Sequence, residues 1–111
     1  MTLHIDQDLG RIVLRAEGEF NIYGAMEFRD ALLKALRGEG DLEIDLAAVG
    51  EMDGAGLQLL LLARREAGAL GKRMLLAGTS PVVREVMQLC NVSAWFETAP
   101  AAPGAAAPAA P

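Results

Sequence analysis

The residues of this 111-residue chain whose chemistry could carry a function are few: two pairs of carboxylates, one histidine, one cysteine and one glycine-rich turn. Glu43 and Asp45 alternate with Leu42, Ile44 and Leu46, which reads as the polar face of a strand rather than an acid/base pair. Glu51 and Asp53 form the second pair, and nothing in the sequence places either pair around a substrate pocket. His4 stands in a short strand-like run near the N-terminus and is read as a strand surface residue; no Ser-His-Asp or Cys-His set assembles around it. Cys90 falls on the apolar side of the last helical segment and is read as a small buried hydrophobe. As the only cysteine it can form no intramolecular disulfide and no four-ligand Cys/His zinc site. No catalytic residue, metal site or cofactor is therefore expected.

The turn Asp53-Gly54-Ala55-Gly56 is the most informative stretch. It follows a strand and opens a helix, so the Asp53 carboxylate can accept hydrogen bonds from the unpaired backbone amides of the first helical turn. The two glycines relax the turn, and small residues leave the backbone open to a partner or an anion. The sequence after Gly56 has no Gly-Lys-Ser/Thr ending, which weakens a nucleotide reading.

The flanking patterns supply the elements that position this turn. "LHID" and "RIVLRAEG" are short β-type runs joined by a hairpin turn at "QDLG". Apolar residues from Tyr23 to Leu36 recur at three and four, predicting a helix stopped by Gly38-Glu39-Gly40. Leu42 to Val49 alternates as a strand, Gly56 to Leu70 reads as a helix buried on a wide face, and "KRMLLAG" is a further strand. Ser80 and Pro81 open a last helix as N-cap and first residue. A short apolar piece around Trp95 and Phe96 could form a terminal strand. The order β β α β α β α predicts an α/β fold with three to four helices on a mixed sheet. Met26, Met52, Met74 and Met87 are read as core filling, and Trp95 as a packing anchor.

From Thr98 onward the chain holds small residues and four of its five prolines, so the folded domain is expected over residues 1–97 and a disordered Ala/Pro-rich tail over 98–111. An apolar share of 52% suits one compact domain. The net charge of −5, without clustered Lys and Arg, argues against nucleic acid as a partner. The longest apolar run, Leu57 to Ala63, is far too short to insert into a membrane. A cytoplasmic protein is expected.

With these elements in order, the chain from "EGEFNIYGAMEFRDALLKAL" through "LEIDLAAVGEMDGAGLQLLLLARREAGALGKRMLLAGTSPVVREVMQLCNVSAWF" resembles a STAS domain. That module is found in bacterial anti-sigma factor antagonists and in sulfate-transporter tails. The resemblance implies a STAS-like fold. It also implies a non-catalytic regulatory role, in which the unphosphorylated domain binds a kinase-like anti-sigma factor and phosphorylation of a loop serine or threonine releases it. Asp53, Gly56 and Leu57 match the family's Asp-Ser-Ser-Gly type loop, but Gly54 and Ala55 carry no hydroxyl, and Ala55 occupies the usual acceptor position. No phosphorylation is expected there. Asn21 stands where the family has an upstream Asp. The resemblance thus implies a docking surface of Asn21, Ile22, Tyr23, Asp53, Gly54, Ala55, Gly56 and Leu57 without the phosphorylation switch. Two alternatives also follow from it: the STAS subunit of an ABC-type phospholipid transport complex, and a STAS protein of chemotaxis-type signalling.

Overall fold

The computed structural model describes residues 1–100. Five strands form a single sheet in the order β1-β2-β3-β4-β5: β1 (Thr2–Asp8), β2 (Arg11–Phe20), β3 (Asp41–Met52), β4 (Met74–Ala77) and β5 (Glu97–Ala99). β1 runs antiparallel to β2, and every other neighbour is parallel. The helices α1 (Ile22–Ala35), α2 (Gly54–Ala69) and α3 (Pro81–Leu89) connect successive parallel strands. Each connection steps one strand in the same direction, so right-handed crossovers place all three helices on one face of the sheet. The mixed α/β fold matches the sequence expectation.

Core composition follows from that one-sided layering. Ile12, Leu14, Leu42, Ile44, Leu46 and Leu76 point to the helices and meet Phe28 and Leu32 of α1, Leu60 and Ala63 of α2, and Val83 and Met87 of α3. The opposite face carries Arg11, Val13 and Arg15 in register with Asp41, Glu43 and Asp45. Here the expected polar strand face needs correction: Glu43 and Asp45 are buried. Arg11 Nη1 lies 2.9 Å from Glu43 Oε1 and Arg15 Nε 3.6 Å from Asp45 Oδ2. The hydrocarbon stems of the two arginines shield the carboxylates on a face without helices.

β3 extends three residues beyond the alternating pattern, because Ala48 to Met52 pair with Glu17 to Phe20 of the long β2 across two register shifts. Neighbour pairing outweighs the weak β propensity of Gly50 and Glu51 there. α2 begins at Gly54 rather than Gly56 and buries a narrow stripe of Gly56, Leu57, Leu60, Ala63 and Ala67, leaving Leu59, Leu61 and Leu62 half-exposed. At the C-terminal end, Glu97–Ala99 pairs with β4, so Thr98 and Ala99 belong to the sheet rather than to the expected tail. Residues 101–111, the rest of that tail, lie outside the described residues.

Three core expectations also fail. Met26 and Trp95 are exposed, and Cys90 is exposed at the C-cap of α3, where Asn91 (φ 57) ends the helix. Nine residues of α3 give a two-residue stripe, Val83 and Met87, which ends before Cys90. Val92 and Phe96 anchor the following 3₁₀ turn instead of Trp95.

Candidate functional site

The parallel pairing of β2 with β3 brings the starts of α1 and α2 side by side, since Phe20 is in register with Met52 at the carboxyl ends of the two strands. The two turns have the same construction. Asn21 is the N-cap of α1 (φ −110, ψ −170) and Asp53 the N-cap of α2 (φ −118, ψ −171). Asn21 Oδ1 accepts from the amides of Tyr23 at 3.0 Å and Gly24 at 3.1 Å, while its Nδ2 donates to Glu19 Oε2 at 3.3 Å. Asp53 Oδ1 accepts from the amides of Ala55 at 2.9 Å and Gly56 at 3.2 Å. The Asp53 amide donates to Phe20 O at 3.2 Å, which ties the second turn to the first.

Close approach explains one glycine in the loop. A Cβ on Gly56 would lie 2.5 Å from Phe20 O and 3.0 Å from the Phe20 ring, whereas a Cβ on Gly54 would meet nothing within 4 Å. Gly56 therefore lets α2 seat against the end of β2, and Gly54 is free to face outward. Loss of the cap has a defined cost. Asp53→Ala is expected to destabilise the protein by about 1 kcal/mol, and Asp53→Asn, which keeps an acceptor oxygen, by much less; urea unfolding of the two variants checks this.

Of the eight residues assigned to the site from the sequence, the structure exposes Ile22, Tyr23, Asp53 and Gly54, half-exposes Asn21 and Ala55, and buries Gly56 and Leu57. The last two hold the loop rather than offer contacts. Met26, which the sequence reading placed in the core, joins the exposed group. It lies four residues after Ile22 and three after Tyr23, so the three side chains share one face of α1. Their exposures are 65% for Ile22, 83% for Tyr23 and 74% for Met26. The spacing that marks the core stripe at Ala25, Phe28, Leu32 and Ala35 already places these three off it. Next to the loop, Gln58, Leu59, Leu61, Leu62 and Arg65 line a shallow groove on the outer side of α2. Glu19 and Glu51, paired in register and exposed, add negative charge beside the caps.

Ser80 is a cap, as expected: it is buried and its Oγ accepts from the Val83 amide at 3.5 Å. Among the described residues no helix is long and apolar enough to cross a membrane.

The chain shares its fold with known proteins. Residues 3–97 match the family model described as "Mlab, STAS domain", and the chain belongs to the STAS-domain family. Among curated proteins it is similar to a STAS-domain containing protein of Pseudomonas aeruginosa, 28% identical over 86 residues that cover 78% of this chain and 85% of that one. Among solved structures it resembles an anti-sigma factor antagonist from Mycobacterium paratuberculosis, with a TM-score of 0.80 and 22% identity over 90% of this chain and 86% of the other. It also resembles the anti-sigma factor antagonist SpoIIAA in its unphosphorylated form, with a TM-score of 0.75 and 24% identity over 92% and 90% of the two chains. At these identities the structural likeness is one of fold.

Proposed function

We propose that this STAS domain is a non-catalytic regulatory module that docks a kinase-like anti-sigma factor or a related signalling protein and has no serine phospho-switch. One observation carries the reading: Ile22, Tyr23 and Met26 stand exposed beside the Asp53-capped loop, and the residue that loop presents is Ala55. Large amphipathic and apolar side chains around a flat, small-residue platform suit a protein surface better than a small-molecule pocket. The outer groove of α2 extends the same surface. Glu19 and Glu51 favour a basic rim on the partner, which would speed association more than it strengthens binding.

The mechanism follows from the loop. A phosphate on a hydroxyl at position 55 would add roughly two negative charges at the contact and so dissociate the partner. Alanine accepts no phosphate, so the domain behaves as a permanently unphosphorylated partner, controlled by its abundance or by its partner's state. The Ala55 amide remains bound to Asp53 whatever the side chain, so substitution there changes the surface and spares the cap.

Ala55→Glu places charge and bulk at that point. It is expected to weaken partner binding by about 100-fold, as truncating or blocking a central contact does, while the unfolding midpoint stays close to that of the parent. The test is capture from native lysate with the full chain and with Ala55→Glu, identification by mass spectrometry, and titration calorimetry on the purified partner. A kinase-like or sigma-regulating protein held by the parent and lost by the variant supports the reading. An ABC-type ATPase held instead replaces it with the lipid-transport reading. Equal affinity of a folded variant removes the loop from the interface.

A further inference from the structure

We propose that this chain forms a two-fold homodimer in which β1 pairs antiparallel with β1 of a second copy, joining the two sheets into one. β1 is the edge of the sheet and pairs with β2 alone, in unbroken register from Thr2–Glu17 to Asp8–Arg11. Its sequence, TLHIDQD, contains no proline, no lysine and no bulge, the devices by which edge strands are usually kept from pairing.

The register of the contact follows from the hairpin. Leu9 (φ 41) and Gly10 (φ 81) form a two-residue turn of the type that closes on a hydrogen-bonded pair, here Asp8 with Arg11. Alternation along the strand then turns the backbone amides and carbonyls of Leu3, Ile5 and Gln7 to the free edge. An antiparallel pairing with Ile5 opposite Ile5 of the second copy sets Leu3 opposite Gln7 and uses all three residues on each strand, for about six new hydrogen bonds. A shift by one register step leaves one of them unpaired on each strand.

Side chains on both faces suit the same register. On the open face, His4 falls opposite Asp6 of the second copy, and Thr2 opposite Asp8. The acidic pair that would otherwise repel a second strand is already offset within the chain. Arg15 Nη1 lies 2.7 Å from Asp6 Oδ2 and Arg11 Nη2 3.6 Å from Asp8 Oδ2. On the helix face, Ile5 and Leu33, 38% and 42% exposed, line an open groove of about 580 Å³ with Leu3, Asp30, Lys34 and Arg37. The Met1 amino group lies 3.7 Å from Glu27 and the Gln7 amide donates to Glu39 O at 2.8 Å, so β1 and α1 run side by side in the same direction. Ile5 is therefore level with the second half of α1. A two-fold axis through Ile5 places Asp30 of each copy on the side of Arg37 of the other, with Lys34 of each copy between them. This interface lies on the strand β1 edge, away from the capped loops.

Three measurements test the dimer with the full chain. Sedimentation equilibrium of the parent should give twice the monomer mass of 11.7 kDa. Ile5→Lys, at a half-exposed position, should keep the parent's circular dichroism and raise the dimer dissociation constant at least ~100-fold. In a Cys90→Ser background, Ile5→Cys should cross-link to itself on oxidation, since paired Cα atoms at about 5.5 Å fall within disulfide range. Thr2→Cys alone should not, its two copies being about 20 Å apart in this register, but a mixture of Thr2→Cys with Asp8→Cys should. A monomeric parent, an open series of larger species, a dimer indifferent to Ile5→Lys, or cross-linking by Thr2→Cys alone would each overturn the proposal.

Discussion

Phe28→Ala is expected to lower stability by about 3–5 kcal/mol, the range for removing a fully buried phenylalanine. The ring has no exposure, and its centroid lies 4.7 Å from that of Phe20 at an interplanar angle of 43°. Its removal deletes buried apolar area and a tilted aromatic pair together. The cavity would open between α1 and the Phe20 end of β2. For a domain of this size each kcal/mol moves the midpoint by roughly 4–8 °C. Thermal unfolding followed by circular dichroism should therefore show a fall of more than ~12 °C, or a chain unfolded at room temperature. Phe28→Leu should cost much less. A small change in Phe28→Ala would mean that α1 is not packed on the sheet as described.

Gly56→Ala should cost about 1–3 kcal/mol through overpacking, while Gly54→Ala, two residues earlier, should be neutral or slightly stabilising. The asymmetry is the informative result. The new methyl at position 56 would sit 2.5 Å from Phe20 O, a backbone atom in the strand end that also accepts from the Asp53 amide. Relief requires α2 or the β2–α1 turn to move, which shifts the Gly54-Ala55 platform relative to Ile22, Tyr23 and Met26. Partner affinity should then fall in Gly56→Ala and hold in Gly54→Ala. Urea unfolding and titration calorimetry of the two variants give both readouts. Equal behaviour would mean that the two turns are not locked together through Phe20.

The two caps also explain why an asparagine can stand at position 21. Its side-chain oxygen accepts from two amides, as the Asp53 carboxylate does, and its amide nitrogen donates to Glu19. The turn is thereby held without a fourth carboxylate beside Glu19, Glu51 and Asp53. The platform is less negative than it would be with aspartate at that position, and its outward surface is left to small and apolar groups.

Local pattern determined the element order, a hairpin within residues 7–10, the caps at Asp53 and Ser80 and most of the core stripe of α1, because each depends on residues within a few positions of one another; the structure narrows the turn to Leu9-Gly10 and puts Gln7 and Asp8 in β1. The resemblance to STAS domains rests on that same local order. Tertiary structure decided the rest. Burial of Glu43 and Asp45 needed Arg11 and Arg15 from the neighbouring strand, and an alternating pattern cannot distinguish a solvated face from one shielded by arginine stems. β3 ran on to Met52 because β2 lay beside it, and Thr98 and Ala99 became a strand only because β4 offered an edge. Met26 and Trp95 are large and apolar, so composition placed them inside. The packing of α1 over a single sheet face left Met26 in solvent with Ile22 and Tyr23. What joined those three side chains to the Asp53 loop, more than twenty-five residues away in sequence, was the parallel register of Phe20 with Met52, a long-range pairing that no local spacing encodes.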